Sequence, residues 1–441
     1  MRDRLGHPIR MNKLFATTTS KVIAAVVGLC LVLGLASLWW MNASAESAIR
    51  VGVLHSRTGT MAESEEPVLQ AVLLAIDEIN TAGGIMGRRL EPVIADGASD
   101  PDTFAREARR LIENEGVEVI FGTWTSASRK SVIPVVQELD SLMIYPVQYE
   151  GLESSESVIY LGSSPNQQIF PALAFARENF GDRAFIVGSE YVYPRMAAVI
   201  ATDAIRLNGG EVVGEAFLPL GSDDFDGVAK AIEETQPEYI LNFVNGDSNK
   251  FLFASLVANS VGPKQVPLIS FSIGESELAG LDLTEAEGSY ASWSYFGSLD
   301  NEQNRRFKAA LHNRFGEELP VSDPMATAYT GVHLWAEAVR ALGGTEPDAV
   351  ASKLGGKSAD GPGGPIYIDP NNNHAWQKAY IGRVLPDGQF EVVWDSGRLV
   401  RPQPFPWVRM VNEWDEMLTN LYRSYGNRWD PLPANAEGSA P

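Results

Sequence analysis

The fold is decided by the stretch IRVGVLHSRTGTMAESEEPVLQAVLLAIDEINTAGG, residues 49–84. A short β-branched run, Ile49–Leu54, precedes a longer helical pattern at Pro67–Asn80. The pattern ends in a Gly-Gly pair, as the left-handed end of a helix favours. Another apolar run, Leu90–Ala95, follows. Two strands around one helix predict a βαβ unit, and therefore a parallel sheet.

The same alternation continues far along the chain. A first series runs to Leu142–Tyr145, and a second begins at Ala184–Gly188 and runs to Ser289–Phe296. Two helical patterns, Glu302–Phe315 and Pro324–Leu342, then follow with no strand between them, which indicates a return to the first lobe. A chain of 441 residues also exceeds the ~250–300 residues at which single cores stop growing. We therefore predict an α/β fold of two doubly wound parallel-sheet lobes.

The pattern also predicts the domain boundaries. Lobe one comprises residues 46–168 and 298–344, and lobe two comprises 169–297 and 345–400. Within the second lobe, Pro365–Ile368, Ala379–Leu385 and Phe390–Asp395 predict an antiparallel piece. Trp407, Trp414 and Trp429 indicate that residues 401–430 pack back on a lobe, while 431–441 are expected to be disordered.

Residues 1–45 differ from the rest of the chain. Basic residues precede the unbroken 20-residue apolar run Val22–Met41, and Ala43-Ser44-Ala45 follows it. This order predicts a secretory signal peptide that is cleaved after Ala45, and thus a periplasmic protein. The length of the run also suits an uncleaved signal anchor, which would be the protein's only contact with the membrane.

Charge and cysteine content exclude several classes of partner and site. The whole chain carries −21 and the leader +4, which leaves −25 on the remainder. Such a surface repels nucleic acid and anionic lipid. The single cysteine, Cys30, lies inside the apolar run of the leader. The mature chain can therefore form neither a disulfide nor a thiolate metal site.

Ligands of open parallel sheets bind at the carboxyl ends of the strands. Two such strand ends, in different lobes, are followed by tyrosines, which can cover a small planar ligand and hydrogen-bond it. Asp247 and Glu275 follow two later strands, although a helix cap and a solvated surface acid are the alternative interpretations. Arg129 and Lys130 fall in a first helical turn, where cations oppose the helix dipole. Another group, such as an acid on the facing lobe, would explain them.

Catalytic patterns are missing from the sequence. The histidines form no H-x-x-x-H pair, and neither G-x-S-x-G nor G-x-x-x-x-G-K-[ST] occurs. The aspartates around Asp100 lack the spacing of a calcium loop. We therefore expect a non-enzymatic protein without a cofactor or metal.

Five separated motifs resemble those of the urea-binding receptors of ABC importers. They are GTWTSASRK (122–130), YPVQYEG (145–151), PNQQ (165–168), GSEYVYPR (188–195) and NGDSN (245–249). The resemblance covers about residues 49–408. It extends to short-chain amide receptors, to amide-sensing amidase regulators and to branched-chain amino acid receptors. It implies a type I periplasmic binding protein fold, with three crossovers between the lobes.

The resemblance also implies a cleft of aromatic and hydroxyl groups that closes on a small neutral polar ligand. Gln148 stands where the amide regulators have proline, which favours urea over acetamide. Together with the carboxylates at strand ends, the candidate ligand-binding residues are Trp124, Thr125, Ser126, Tyr145, Gln148, Tyr149, Tyr191, Tyr193, Asp247 and Glu275. Asp247 is expected to face the aromatic groups from lobe two and to accept N–H groups of urea. The expected partner is an ABC permease of the inner membrane.

Two other functions remain open from the sequence. One is an amide-sensing regulatory receptor that signals occupancy to a partner protein. The long Trp-rich tail of this chain resembles the amide regulators more than the importer receptors. The other is an amidohydrolase. The exported leader favours the importer receptor over the regulator, and failure to turn over urea would discard the hydrolase.

Overall fold

Five parallel strands form the first sheet of the computed structural model, which describes residues 48–316 and 319–431. They are β1 (Ile49–His55), β2 (Leu90–Asp96), β3 (Ile120–Gly122), β4 (Met143–Tyr145) and β5 (Val158–Tyr160). The strand order is β2-β1-β3-β4-β5. The helices between them are α1 (Ala62–Thr81), α2 (Pro101–Glu113) and α3 (Ser126–Glu138). The predicted parallel pairing of the first two runs is confirmed, because β1 and β2 pair in register from Ile49–Leu90 to His55–Asp96.

The predicted ends of the first helices are also observed. Gly84 follows α1 with a φ of +76°, and a Cβ at this position would lie 2.0 Å from the carbonyl oxygen of Arg88. Asp100 caps α2, since its carboxylate accepts from the Thr103 amide at 2.8 Å, and Pro101 is the first residue of the helix. Local sequence signals therefore set these boundaries.

The second sheet begins with five parallel strands. They are β6 (Arg183–Ser189), β7 (Glu211–Leu218), β8 (Tyr239–Phe243), β9 (Leu268–Ser270) and β10 (Tyr290–Trp293). The helices in this part are α4 (Pro165–Asn179), α5 (Val192–Leu207), α6 (Asp226–Thr235), α7 (Ser248–Ala258) and two short ones, α8 (Glu275–Leu278) and α9 (Leu283–Ala286). Successive side chains of β6 enter opposite cores, Ile186 with α5 and Phe185 with α7. The sheet is thus covered on both faces, which confirms the doubly wound α/β fold.

The chain crosses between the sheets three times. It passes from β5 to β6, and it returns from β10 to α10 (Glu302–Phe315) and α11 (Asp323–Leu342), which pack on the first core. There follow α12 (Pro347–Leu354) and a small sheet of β11 (Ser358–Gly361), β12 (Gly364–Ile368) and β13 (Ala375–Trp376). The third crossing leads to β14 (Tyr380–Val384) and β15 (Phe390–Asp395), which extend the second sheet to the order β15-β14-β10-β9-β8-β6-β7.

The last third of the chain divides differently from the expected boundary at residue 345. Val350, Leu354 and Ile368 belong to the first core, whereas β14 and β15 belong to the second sheet. The strand predicted at Pro365–Ile368 therefore pairs in the small sheet, apart from the other two antiparallel strands. Alternation along a strand shows that one face is buried, but it does not identify the partner strand.

The segment after residue 400 contains one further helix, α13 (Val411–Ser424). Trp414 and Leu418 of this helix are buried in the second core. Trp407, in contrast, is 69% exposed, and Trp429 is half-buried. The predicted leader, its cleavage site after Ala45, and residues 432–441 lie outside the described residues. Within the described ranges, no helix combines the length and apolar character needed to cross a membrane.

Candidate ligand-binding cleft

The two lobes meet at the carboxyl ends of their strands. Trp124, which follows β3, donates its Nε1–H to Oδ1 of Asn245, which follows β8, at 3.4 Å. Gln148, which follows β4, donates its Nε2–H to the carbonyl oxygen of Phe271, which follows β9, at 2.8 Å. Both bonds join lobe one to lobe two, so the structure has a closed cleft.

Predicted tyrosines of both lobes contribute hydroxyl groups to this closed cleft. Tyr193 donates to the carbonyl oxygen of Phe271 at 3.4 Å, and its ring lies 6.3 Å from that of Tyr191. Tyr145, from lobe one, donates to the carbonyl oxygen of Trp124 at 2.7 Å. Burial raises the pKa of all three hydroxyl groups, so they remain protonated donors at neutral pH.

The amide of Gln148 leaves one acceptor available. Its Nε2 is engaged with the Phe271 carbonyl, so its orientation is set, while its buried Oε1 has no hydrogen-bond partner among the described residues. A buried polar atom without a partner costs about 1–3 kcal/mol. A ligand N–H group would remove that cost.

A buried charge network supports the start of α3, where Ser126 lies. Ser126 donates its hydroxyl to Glu150 and accepts from Nη1 of Arg129 at 3.0 Å. Arg129 has a fully buried side chain, 3.3 Å from Glu150 and 2.9 Å from Glu153. Burial alone would lower the pKa of Arg129, but these two carboxylates outweigh it and hold the pKa well above its usual value. Arg129 is therefore a permanent cation.

Lys130 completes the network. Its ammonium lies 2.7 Å from Glu153 and 3.6 Å from Glu150. Burial would raise the pKa of Glu153, but Arg129 and Lys130 lower it to about 2. The acids that explain the two cations thus lie on the same lobe rather than on the facing one. Glu150 was missed as a site residue, and the two cations early in α3 were the signal for it.

Thr125 and Tyr149 lie next to this network, and both hydroxyl groups already have protein partners. Thr125 caps α3, because its hydroxyl accepts from the Ser128 amide at 3.1 Å. Tyr149 donates to the Glu153 carbonyl at 3.2 Å and also bonds His374. Burial lowers the pKa of His374 to about 4, so its ring is neutral at pH 7. Thr125 and Tyr149 therefore act as structural residues beside Ser126.

Asp247 lies at the rim of the cleft. Its amide donates to the carbonyl oxygen of Thr60 in lobe one at 3.3 Å, which is a third bond between the lobes. Its side chain is 37% exposed and lies 3.7 Å from Lys250, which in turn pairs with Glu63 at 2.7 Å. Partial burial, and then Glu63, raise the pKa of Asp247. The hydrogen bonds of the closed cleft do not link its carboxylate to the tyrosines.

Glu275 lies apart from these tyrosines, beside the crossover from lobe two back to lobe one. Its Oε1 accepts from the Gly297 amide at 2.6 Å, and burial raises its pKa to about 8. Asp323, at the start of α11, accepts from the Ser294 amide at 2.9 Å, and burial raises its pKa to about 7. Both acids bind backbone groups of the segment that leads from lobe two back to lobe one.

Comparison with known proteins identifies the family. The family model described as periplasmic binding protein domain matches residues 49–411. The chain therefore belongs to the periplasmic binding protein family. Its fold is that of the type I class, whose members include solute-binding receptors of ABC transporters.

Two relatives show how far the sequence similarity extends. This periplasmic binding protein is 25% identical over 294 residues to the Leu/Ile/Val-binding protein homolog 6 of Brucella suis, which covers 65% of this chain and 75% of the relative. It is 34% identical over 131 residues to limonene hydroxylase of Geobacillus stearothermophilus, but only 30% of this chain and 24% of that protein are covered.

A solute-binding protein of an ABC transporter from Rhodopseudomonas palustris BisB5 is similar in structure. It was solved with 3,4-dihydroxybenzoic acid, and it matches with a TM-score of 0.73 and 22% identity, over 80% of this chain and 99% of that one. At this identity the likeness supports the fold alone.

The buried position of Arg129 predicts a large effect on stability. Arg129→Met would leave Glu150 and Glu153 buried without their guanidinium, which typically costs about 3–5 kcal/mol. Arg109→Met, which removes exposed pairs with Glu113 and Glu138, should leave the unfolding midpoint nearly unchanged. Chemical denaturation of both variants measures the difference, and equal effects would contradict the importance of the network.

The acids at the crossovers predict a pH dependence. Glu275 keeps its proton in the folded protein up to about pH 8, whereas its ordinary pKa is 4.5, so its contribution to stability is lost as the pH rises between these values. Glu275→Gln cannot ionise. Its melting temperature should therefore fall less than that of the unchanged protein between about pH 6 and about pH 8.5.

Glu302→Gln, a change at an exposed acid, serves as the control and should keep the original pH slope. Identical slopes for all three proteins would show that Glu275 ionises alike in the folded and unfolded states.

Proposed function

We propose that this chain is the solute-binding receptor of an ABC importer for urea or a short-chain amide. The main observation in favour of such a neutral ligand is the balance of charges beside Ser126. Arg129 and Lys130 are both already paired with Glu150 and Glu153. A buried charge without a partner is strongly unfavourable, so a neutral ligand suits this cleft.

The acceptors and donors of the cleft match such a ligand. Urea has four N–H donors and one carbonyl acceptor. Glu150 is a buried carboxylate, and Oε1 of Gln148 is a buried acceptor with no partner among the described residues. The hydroxyl group of Tyr191 is a donor for the carbonyl oxygen. Together these groups supply both kinds of partner that a small amide requires.

A ligand with a carboxylate fits less well. One of the similar proteins described above is named for Leu/Ile/Val binding, and another was solved with an aromatic acid. Such a ligand would need a cation, and both cations beside Ser126 in α3 are neutralised by carboxylates of their own lobe. Repulsion by Glu150 would also oppose the carboxylate of such a ligand.

Binding in such a cleft acts through closure of the lobes. A ligand that contacts both lobes stabilises the closed form by its differential affinity for the two forms. The permease then recognises the closed form.

We also propose that the mature protein lies outside the cytoplasmic membrane, on the basis of the leader sequence. Terminal sequencing should therefore find Glu46 as its first residue.

The proposal is tested by titration calorimetry with urea on two variants that each neutralise one carboxylate. Glu150→Gln should weaken urea binding about ten- to a hundredfold, because a hydrogen bond to a charged acceptor contributes about 1.5–3 kcal/mol. Asp247→Asn, at the rim, should leave the affinity nearly unchanged. Melting temperatures of both variants serve as the control for folding.

Leucine and 4-hydroxybenzoate are titrated in parallel and should give no binding heat. The reverse order of the two variants would assign the acceptor role to Asp247, as the sequence predicts. Binding of leucine or 4-hydroxybenzoate without binding of urea would overturn the proposed ligand class.

A further inference from the structure

The last described residues, 425–431, follow α13 and are named here the distal strap. The helix before them is anchored to lobe two. Trp414 and Leu418 are buried in the second core, and Arg409 pairs with Asp203 of α5 at 2.5 Å. The distal strap therefore begins at the end of a helix that is packed on lobe two.

The distal strap itself contacts both lobes. On the lobe-two side, Tyr425 donates its hydroxyl to Glu190, and the carbonyl oxygen of Trp429 accepts from the amide of Val192 at 3.0 Å. Val192 lies between Tyr191 and Tyr193, the lobe-two tyrosines of the cleft. The strap is thus bonded to the start of α5.

On the lobe-one side the contacts are charged. Arg428 forms an ion pair with Asp102 in the first turn of α2, and its guanidinium lies 3.9 Å from Asp100. The ammonium of Lys130 lies 5.0 Å from the centre of the Trp429 ring, within the range of a cation–π contact. Lys130 is the neighbour of Arg129 in α3. One residue, Trp429, therefore touches the ligand-facing helices of both lobes.

We propose that the distal strap is a latch that holds the two lobes closed. Opening the cleft moves α2 and α3 of lobe one away from α5 of lobe two. The strap remains with lobe two, because α13 is buried there. The contacts of Arg428 with Asp102 and of Trp429 with Lys130 are then lost, and so they favour the closed form.

The size of the effect follows from the exposure of these groups. The side chain of Arg428 is 19% exposed and that of Asp102 is 64% exposed, so the ion pair is partly screened by solvent. With the cation–π contact, removal of the latch should lower the ratio of closed to open molecules about three- to tenfold. Added salt should weaken the latch in the unchanged protein, but not in a variant that lacks the ion pair between Arg428 and Asp102.

The distance between the lobes tests the latch without depending on the ligand. Spin labels are placed on the full chain at two exposed positions, Arg106→Cys in α2 and Lys230→Cys in α6. Cys30, the only native cysteine, is replaced by serine. Double electron–electron resonance then measures the populations of short and long distances, without urea and with urea.

Three variants remove the latch from different sides: Arg428→Ala, Trp429→Ala and Asp102→Asn. Each should lose part of the short-distance population. The matched control is Arg383→Ala, which removes an exposed ion pair with Glu391 inside lobe two and should leave the distances unchanged. Combining Arg428→Ala with Asp102→Asn should add little to either change alone, since both remove the same pair.

Equal populations in all latch variants and the unchanged protein, in both conditions, would overturn the latch. An absence of any response to urea would contradict the proposed ligand instead, and the comparison without urea would still decide on the latch.

Discussion

The candidate site depends on one buried cation. Arg129 lies between Glu150 and Glu153, with its guanidinium over the rings of Tyr145 and Tyr149 at 4.8 and 4.4 Å. A guanidinium without these carboxylates would be too costly to bury, and the carboxylates without the guanidinium equally so. The ion pairs of Arg129 with Glu150 and Glu153 therefore hold the segments after β3 and β4 in one arrangement. That arrangement positions Ser126, Gln148 and Tyr145 at the edge where the lobes meet.

In the proposed function, the same network also determines which ligands the cleft can bind. In a family whose relatives include amino acid receptors, a free cation is the natural partner of a ligand carboxylate. Here the two cations beside Ser126 are paired with carboxylates of lobe one, and hydrogen-bond acceptors remain available to a ligand. Under the proposed function, a receptor with this balance selects for ligands that donate hydrogen bonds and carry no charge. Specificity then follows from internal pairing of charges as much as from groups that touch the ligand.

Much of the fold could be predicted because local pattern governs it. The helix Glu302–Phe315 has the predicted bounds, and β1 extends the predicted run by one residue, to His55. Pairing between distant segments could not be predicted, since the alternation in Pro365–Ile368 suits any antiparallel partner. Glu150 shows the same limit at the site. A loop carboxylate has the same local sequence whether it is solvated or buried, and only the tertiary structure brings it to Arg129.

This mode of binding, in which a neutral amide lies against a carboxylate whose cation is already paired, can be examined in a crystal structure grown with urea. We expect density for urea between the lobes, with a nitrogen hydrogen-bonded to Glu150 and with Arg129 still bound to both Glu150 and Glu153. A ligand that pairs directly with Arg129, or urea bound away from Glu150 in a closed cleft, would contradict it.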